Sequence, residues 1–153
     1  IVFSSWHNFG VSSGWSPHIF REAFMPAIKD HIDLVHSYGK DVWIHSCGKI
    51  DKLIPRLAEM GVDVLNPVQH ACPGMELAGL KQEFGSRVVF HGGVDNQSIL
   101  PRGTADQVRA EVKECLRTLG EGREGFICCS CHNVQAGTPL ENIFALVEAA
   151  QEP

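Results

Sequence analysis

Four times along the chain a helix-like stretch stops at a glycine and an apolar run follows. Gly39 precedes "DVWIH", Gly61 precedes "VDVLNP", Gly85 precedes "RVVFHGG" and Gly120 precedes "GFICCSC". Each glycine stands where a helix C-terminus calls for a left-handed residue. Runs nearly continuous in Val, Ile, Leu and Phe suit strands covered on both faces, as in a parallel sheet. With "IVFS" as a first strand, the chain reads as five βα units in a row, one domain over residues 1–153, with no hairpin signal and no linker. Helix starts are marked as well. Ser16-Pro17 offers an N-cap and a proline at the first helical position, and Thr104 with Gln107 and Thr138-Pro139 with Glu141 read as capping boxes. Helices are expected over 17–38, 51–60, 74–84, 104–119 and 139–151, with a bend or a later start at Pro26 and Pro55.

Consecutive βα units leave a doubly wound open sheet or a closed barrel. The doubly wound fold needs a glycine-rich turn after a strand, and His91-Gly92-Gly93 is too short for that fingerprint. The expected class is therefore α/β, a (β/α)8 TIM barrel. Such a barrel normally takes about 250 residues, so about five units are its C-terminal portion. "IVFSSW" reads as a strand already in progress, and the numbering is expected to begin inside a larger protein whose N-terminal units complete the barrel. The 153 residues carry a formal charge of −5 without a Lys/Arg cluster, which argues against nucleic acid or an anionic membrane surface as partner. No apolar run approaches the roughly 20 residues of a membrane span, and a soluble, cytoplasmic enzyme is expected. The six cysteines sit in strand and helix patterns and read as reduced thiols rather than a disulfide framework.

In a barrel the active site gathers at the C-terminal strand ends. Those positions hold Ser4, Ser5, Trp6, His7 and Asn8 after the first run, then His45 and Cys47, then Asn66 and Gln69, then His91 and Asp95, and finally Cys129, Cys131, His132 and Asn133. The opposite turns carry mostly Gly, Lys, Asp and Glu, as a solvated face does. This asymmetry points to an enzyme acting on a small molecule. His45 and Cys47, two residues apart on a strand, point to the same side and can reach one ion. A catalytic zinc takes three protein ligands and keeps a fourth position open. The third is expected from "CCSCH", where Cys129 and Cys131 share a face, Cys128 points away and His132 lies just beyond. The competing reading is plain packing: Cys is often buried and inert, His91 can be a satisfied core histidine, and Asp95 can cap its loop. Cys72 and Cys115 read as structural, and His18, His31 and His36 as surface or packing residues of one helix.

Three stretches, "HSCGKIDKLIPRLAEMGVDVLNPVQ", "LKQEFGSRVVFHGGVDNQSILPRGT" and "SCHNVQAGTPLENIFALVEAA", resemble in this order the C-terminal half of the uroporphyrinogen decarboxylase superfamily. That superfamily holds the haem-pathway decarboxylase and the cobalamin-dependent methyltransferases. His45 and Cys47 match the H-x-C of the methyltransferase branch, where it supplies two zinc ligands; the decarboxylases lack the cysteine. The branch's distant third cysteine aligns with His132, as in the decarboxylases, with Cys131 one residue away. Two completions of a zinc site are therefore open, through His132 or through Cys131 with a small shift of the loop. "FSSW" lies where the decarboxylases have an "F-D-S-W"-like stretch, with Ser4 in place of the aspartate.

The resemblance implies a zinc-dependent methyltransferase that moves a methyl group from a corrinoid, free or on a partner protein, to a thiol. In that reading His132, His91 and Asp95 carry catalysis, and Ser5, Trp6, Asn66, Gln69 and Asn133 line the substrate pocket. His45, Cys47 and His132 or Cys131 hold the metal. The alternative is metal-free decarboxylation of an acetate-substituted tetrapyrrole, with His132 and Ser5 in the pocket. A third reading, a non-catalytic piece, follows from the open sheet edges of a partial barrel. Expected partners are the remaining barrel units, a corrinoid protein and a second copy in a homodimer.

Overall fold

A computed structural model describes residues 1–5, 16–120 and 125–152. Five parallel strands form one sheet: β1 (Val2–Ser5), β2 (Val42–His45), β3 (Val64–Val68), β4 (Val89–Val94) and β5 (Phe126–Ser130), in that spatial order. Each strand lies beside its successor in sequence. A doubly wound sheet would reverse direction at a switch point, so this order is that of a barrel wall.

The helices are α1 (Pro17–Ile19), α2 (Met25–Ser37), α3 (Ile54–Met60), α4 (Leu77–Phe84), a short α5 (Ile99–Arg102), α6 (Ala105–Leu119) and α7 (Leu140–Gln151). A π-helical turn over Phe20–Phe24 joins α1 to α2. It falls just ahead of Pro26, whose missing N–H breaks the regular ladder, and the Met25 N–H reaches back to the Phe20 carbonyl. The expected bend is thus a widened turn. Pro55 sits in the first turn of α3, which starts at Ile54 rather than 51.

Helix ends followed the sequence in part. Gly39 and Gly61 are left-handed, with φ of 63° and 94°. Gly85 and Gly120 are not, at φ −61° and −90°. Their N–H groups still bond to Lys81 and Leu116, and a Cβ would come within 2.5 and 2.7 Å of those carbonyls. Room, not handedness, selects glycine there. Thr104 and Gln107 form the expected capping box, and Ser16 Oγ accepts from the Ile19 N–H. Thr138 does not cap α7; its hydroxyl donates to the Gln135 carbonyl, and the helix starts after Pro139. The α4 helix starts at Leu77 rather than 74, and the sequence patterns did not foretell α5.

Strand parity divides the sheet. Val42 and Ile44 of β2 and Phe90 of β4 are at most 1% exposed and join Ile28, Ile32, Ile54 and Leu65 in the main core beneath the helices. A second cluster of Val94, Leu100, Val108, Val112, Ala145 and Ala149 locks α5, α6 and α7 together. Residues of the other parity, Trp43, His45, His91 and Cys129, line the opposite face. No helix among the described residues is long and apolar enough to cross a membrane.

Candidate active site

Register brings the polar residues of that second face into one row. His45 pairs with Asn66 across β2 and β3. Between β3 and β4, Leu65 pairs with Phe90 but Val68 with Gly92, so one extra β3 residue is accommodated. Pro67 occupies the irregular stretch and has no N–H to give to a ladder. Gly92, at φ 118°, lies so close to β3 that a Cβ would meet the Val68 nitrogen at 3.0 Å. Glycine is needed for β4 to pass the bulge and keep His91 beside Asn66.

A directional chain of hydrogen bonds follows. The His45 Nδ1–H donates to Asn66 Oδ1 at 2.5 Å, because a side-chain carbonyl only accepts. Asn66 Nδ2 donates to His91 Nδ1. His91, accepting on Nδ1, carries its proton on Nε2, which faces Cys129 Sγ at 3.4 Å. The Cys129 thiol donates onward to the Ser130 carbonyl at 3.2 Å. Burial, and secondarily the neighbouring His45, lowers the pKa of His91 below that of an ordinary imidazole, so it is neutral near pH 7, as accepting from an amide requires. Burial pushes the Cys129 thiol up to about 11. The Trp43 indole packs edge-on against His91, ring centres 4.7 Å apart.

This row lines an open depression of about 530 Å³ that also holds His132 and Asn133. The rings of His45 and His132 meet edge to face at 5.6 Å. His132 also lines a second depression of about 670 Å³, shared with Cys47, Gln69, Gln97, Arg102 and Gln135. Gln69 accepts from the Gly48 N–H with its side-chain oxygen, tying the loop after β3 to the turn that carries Cys47. Cys131 also borders the first depression, but its thiol is engaged with the backbone. It is 3% exposed, its thiol donates to the Val68 carbonyl at 2.9 Å, and burial pushes it up to about 12.

The remaining candidates divide. Asp95 stands outside the row: its Oδ1 accepts from the Gln97 N–H at 2.8 Å, a turn-capping contact, and it lines a separate small crevice with His70. Ser5 ends β1 opposite His45, whereas Trp6, His7 and Asn8 lie outside the described residues. Cys115 is buried in α6, and His36 bonds Asp63 at the surface. Trp43, which the sequence reading did not single out, joins the site; it shares the strand parity of His45. His70 was not singled out. Its Nε2 lies 2.9 Å from Glu111 Oε1, and this hydrogen bond raises its pKa against the opposing effect of burial.

The donor types suit zinc: two imidazoles and a thiol, with His45 oriented through Nδ1 so that Nε2 keeps its lone pair, as metal-ligating histidines are usually held. They are paired by shared contacts rather than closed around a point. Among the described residues no group of three or more His, Cys, Asp or Glu side chains is gathered tightly enough to hold an ion.

A parallel wall of βα units in sequence order, with its polar residues at the C-terminal strand ends, defines part of an α/β barrel. The chain belongs to the uroporphyrinogen decarboxylase (URO-D) family, whose model matches residues 7–153. It is 30% identical over 145 residues to a methylated-thiol:coenzyme M methyltransferase of Methanosarcina mazei, covering 92% of this chain and 35% of that protein. It is 28% identical over 137 residues to a methylcobamide:CoM methyltransferase of Methanosarcina barkeri, covering 90% and 37%. A uroporphyrinogen decarboxylase of Pelodictyon phaeoclathratiforme is 25% identical over 154 residues, covering 99% and 41%. A solved methyltransferase from Methanosarcina mazei superposes with a TM-score of 0.72 at 25% identity, over 97% of this chain and 41% of that one. The chain thus spans somewhat over a third of the length of its curated relatives, and the fold is the C-terminal part of a TIM barrel.

Proposed function

We propose that the protein transfers a methyl group from a corrinoid to a small thiol at a zinc centre held by His45, Cys47 and His132. The observation that carries this reading is the meeting of His45 with His132, and of His132 with Cys47 in one depression, at the C-terminal strand ends. His132 is preferred to Cys131 as third donor because the Cys131 thiol is turned into the fold and donates to Val68. Zinc on such donors supplies a Lewis acid that keeps an acceptor thiol as its thiolate near neutral pH.

The chain's own residues do the rest. Asn66 fixes the His45 ring, Gln69 holds the turn bearing Cys47, and the uncharged row of Trp43, His91 and Cys129 walls the depression without offering a competing anion. In the intact protein, methylcobalamin should be demethylated in the presence of a thiol, and Cys47→Ser should abolish that turnover. Turnover undiminished in the variant would remove the reading.

The decarboxylase relative, matched over 99% of this chain, keeps a second reading open: decarboxylation of an acetate-substituted tetrapyrrole, with His132 in the pocket. It predicts uroporphyrinogen consumption that is indifferent to chelators and to Cys47→Ser.

A further inference from the structure

Two loops at the C-terminal strand ends are tied together by one carboxyl group. His70, in the loop after β3, and Asp95, in the loop after β4, both meet Glu111 of α6. Glu111 Oε1 accepts from His70 Nε2 at 2.9 Å and from the Asp95 N–H at 3.3 Å. Its Oε2 is buried and has no partner among the described residues. A buried carboxylate with an unsatisfied oxygen is costly, and a nearby cation offsets that cost.

His70 is placed to be that cation. The crevice between the loops is faced by His70 and Cys72 from one side, Asp95 from the other and Cys131 after β5, and no lysine or arginine lines it. Burial pushes the thiols around Glu111 up, Cys128 to about 11, Cys131 to about 12 and Cys115 in the same direction, so they stay uncharged near neutral pH. At about 10 Å³ the crevice has room for one water at most, which excludes a ligand site. The hydrogen bond to Glu111 raises the pKa of His70 against burial, and the charges of Glu111 and Asp95 and a hydrogen bond to the Gly93 backbone add to the rise. An imidazolium has a hydrogen on each ring nitrogen for two acceptors; a neutral ring has one.

Both loops reach the depression that holds Cys47 and His132. Gln69, next to His70, and Gln97, whose N–H is capped by Asp95, line it. Gln69 also accepts from the Gly48 N–H, so the place of the His70 loop sets that of the Cys47 turn.

We propose that His70 and Glu111 form a proton-operated latch: while His70 is protonated both loops are held against α6, and when it is neutral they loosen together with the Cys47 turn. The two residues line neither depression and act as positioning residues. The latch works in the same way under either reading of the reaction. Because the pKa of His70 is raised on folding, the latch is closed below pH 6.5 and opens as pH rises through the raised value.

The test follows amide hydrogen exchange of the intact protein from pH 6 to 9, expressed as protection relative to the unfolded chain, beside an NMR titration of the His70 ring. In the wild type, protection over residues 69–72 and 95–98 should fall with the midpoint of the ring titration, about tenfold for a ring that titrates one pH unit above 6.5. Amides of β3 and β4 should keep their protection, which shows that the fold is intact. Glu111→Gln retains the accepting oxygen without the charge and should move both midpoints down toward 6.5. His70→Gln should remove the pH dependence. Loop protection that stays constant across the His70 titration, or that falls with the same midpoint in His70→Gln, would overturn the latch. So would midpoints that Glu111→Gln leaves in place.

Discussion

Residues one position apart on the same strands serve opposite purposes. On β2, Val42 and Ile44 are 0% and 1% exposed and pack under the helices, while Trp43 and His45 face the depression. On β4, Phe90 is fully buried in the core, and His91 next to it accepts a hydrogen bond from the Asn66 amide. The helix-covered face is held by apolar burial, which is strong and indifferent to direction. The open face is held by a chain of directional hydrogen bonds in which each donor has one acceptor, so a small change there alters chemistry more than stability.

The largest expected effect probes the covered face. Phe90→Ala should cost about 3–5 kcal/mol in denaturant unfolding of the intact protein, the range for emptying a buried aromatic site. A loss below 1 kcal/mol would mean that the core is not continuous beneath β4. Next comes Asn66→Ala on the open face. It strands the His45 N–H and the His91 acceptor, at about 1–3 kcal/mol for buried polar groups left unpaired, yet its effect on turnover should exceed that of Phe90→Ala measured below both melting points. If the two variants lose activity in proportion to stability, the division between faces is wrong.

A smaller effect is expected at the α6 cap. Thr104→Ala should cost about 1 kcal/mol, with turnover unchanged. The smallest lies at the rim, where His70 meets Glu111. Because the folded state raises the His70 pKa above its ordinary 6.5, the pair's contribution is complete below that pH. It is lost as pH rises through the raised value. Wild type should therefore exceed His70→Gln in stability at pH 6 and converge with it at alkaline pH; a constant difference would assign His70 a packing role only.

Much of the fold was legible because a parallel strand and an amphipathic helix leave different periods in sequence, and glycine punctuates them. The short α5 was not, since four residues are too few to show a period. The conformations at Gly85 and Gly120 depend on whether the last N–H keeps its helical partner, which glycine permits either way. At the site, parity led to the expectation of His45 and Cys47 on one face; β2 ends at His45, and Cys47, beyond the strand, lines the adjoining depression instead. The row through Asn66 to His91 and Cys129 was hidden, because it depends on register between strands and on the bulge at Pro67, neither of which is written in any single segment. The roles of Cys131 and Asp95 were open for a similar reason: which way each turns is decided by the Val68 carbonyl and by the Gln97 N–H, contacts made after folding.

The most direct test of the proposed centre is metal content. Purified intact protein should carry one equivalent of zinc, with Cys47→Ser and His132→Ala each folded but depleted and Cys131→Ser still loaded. A wild-type protein that is folded, metal-free and unable to take up zinc, or a Cys47→Ser variant that retains its full equivalent, would contradict the account.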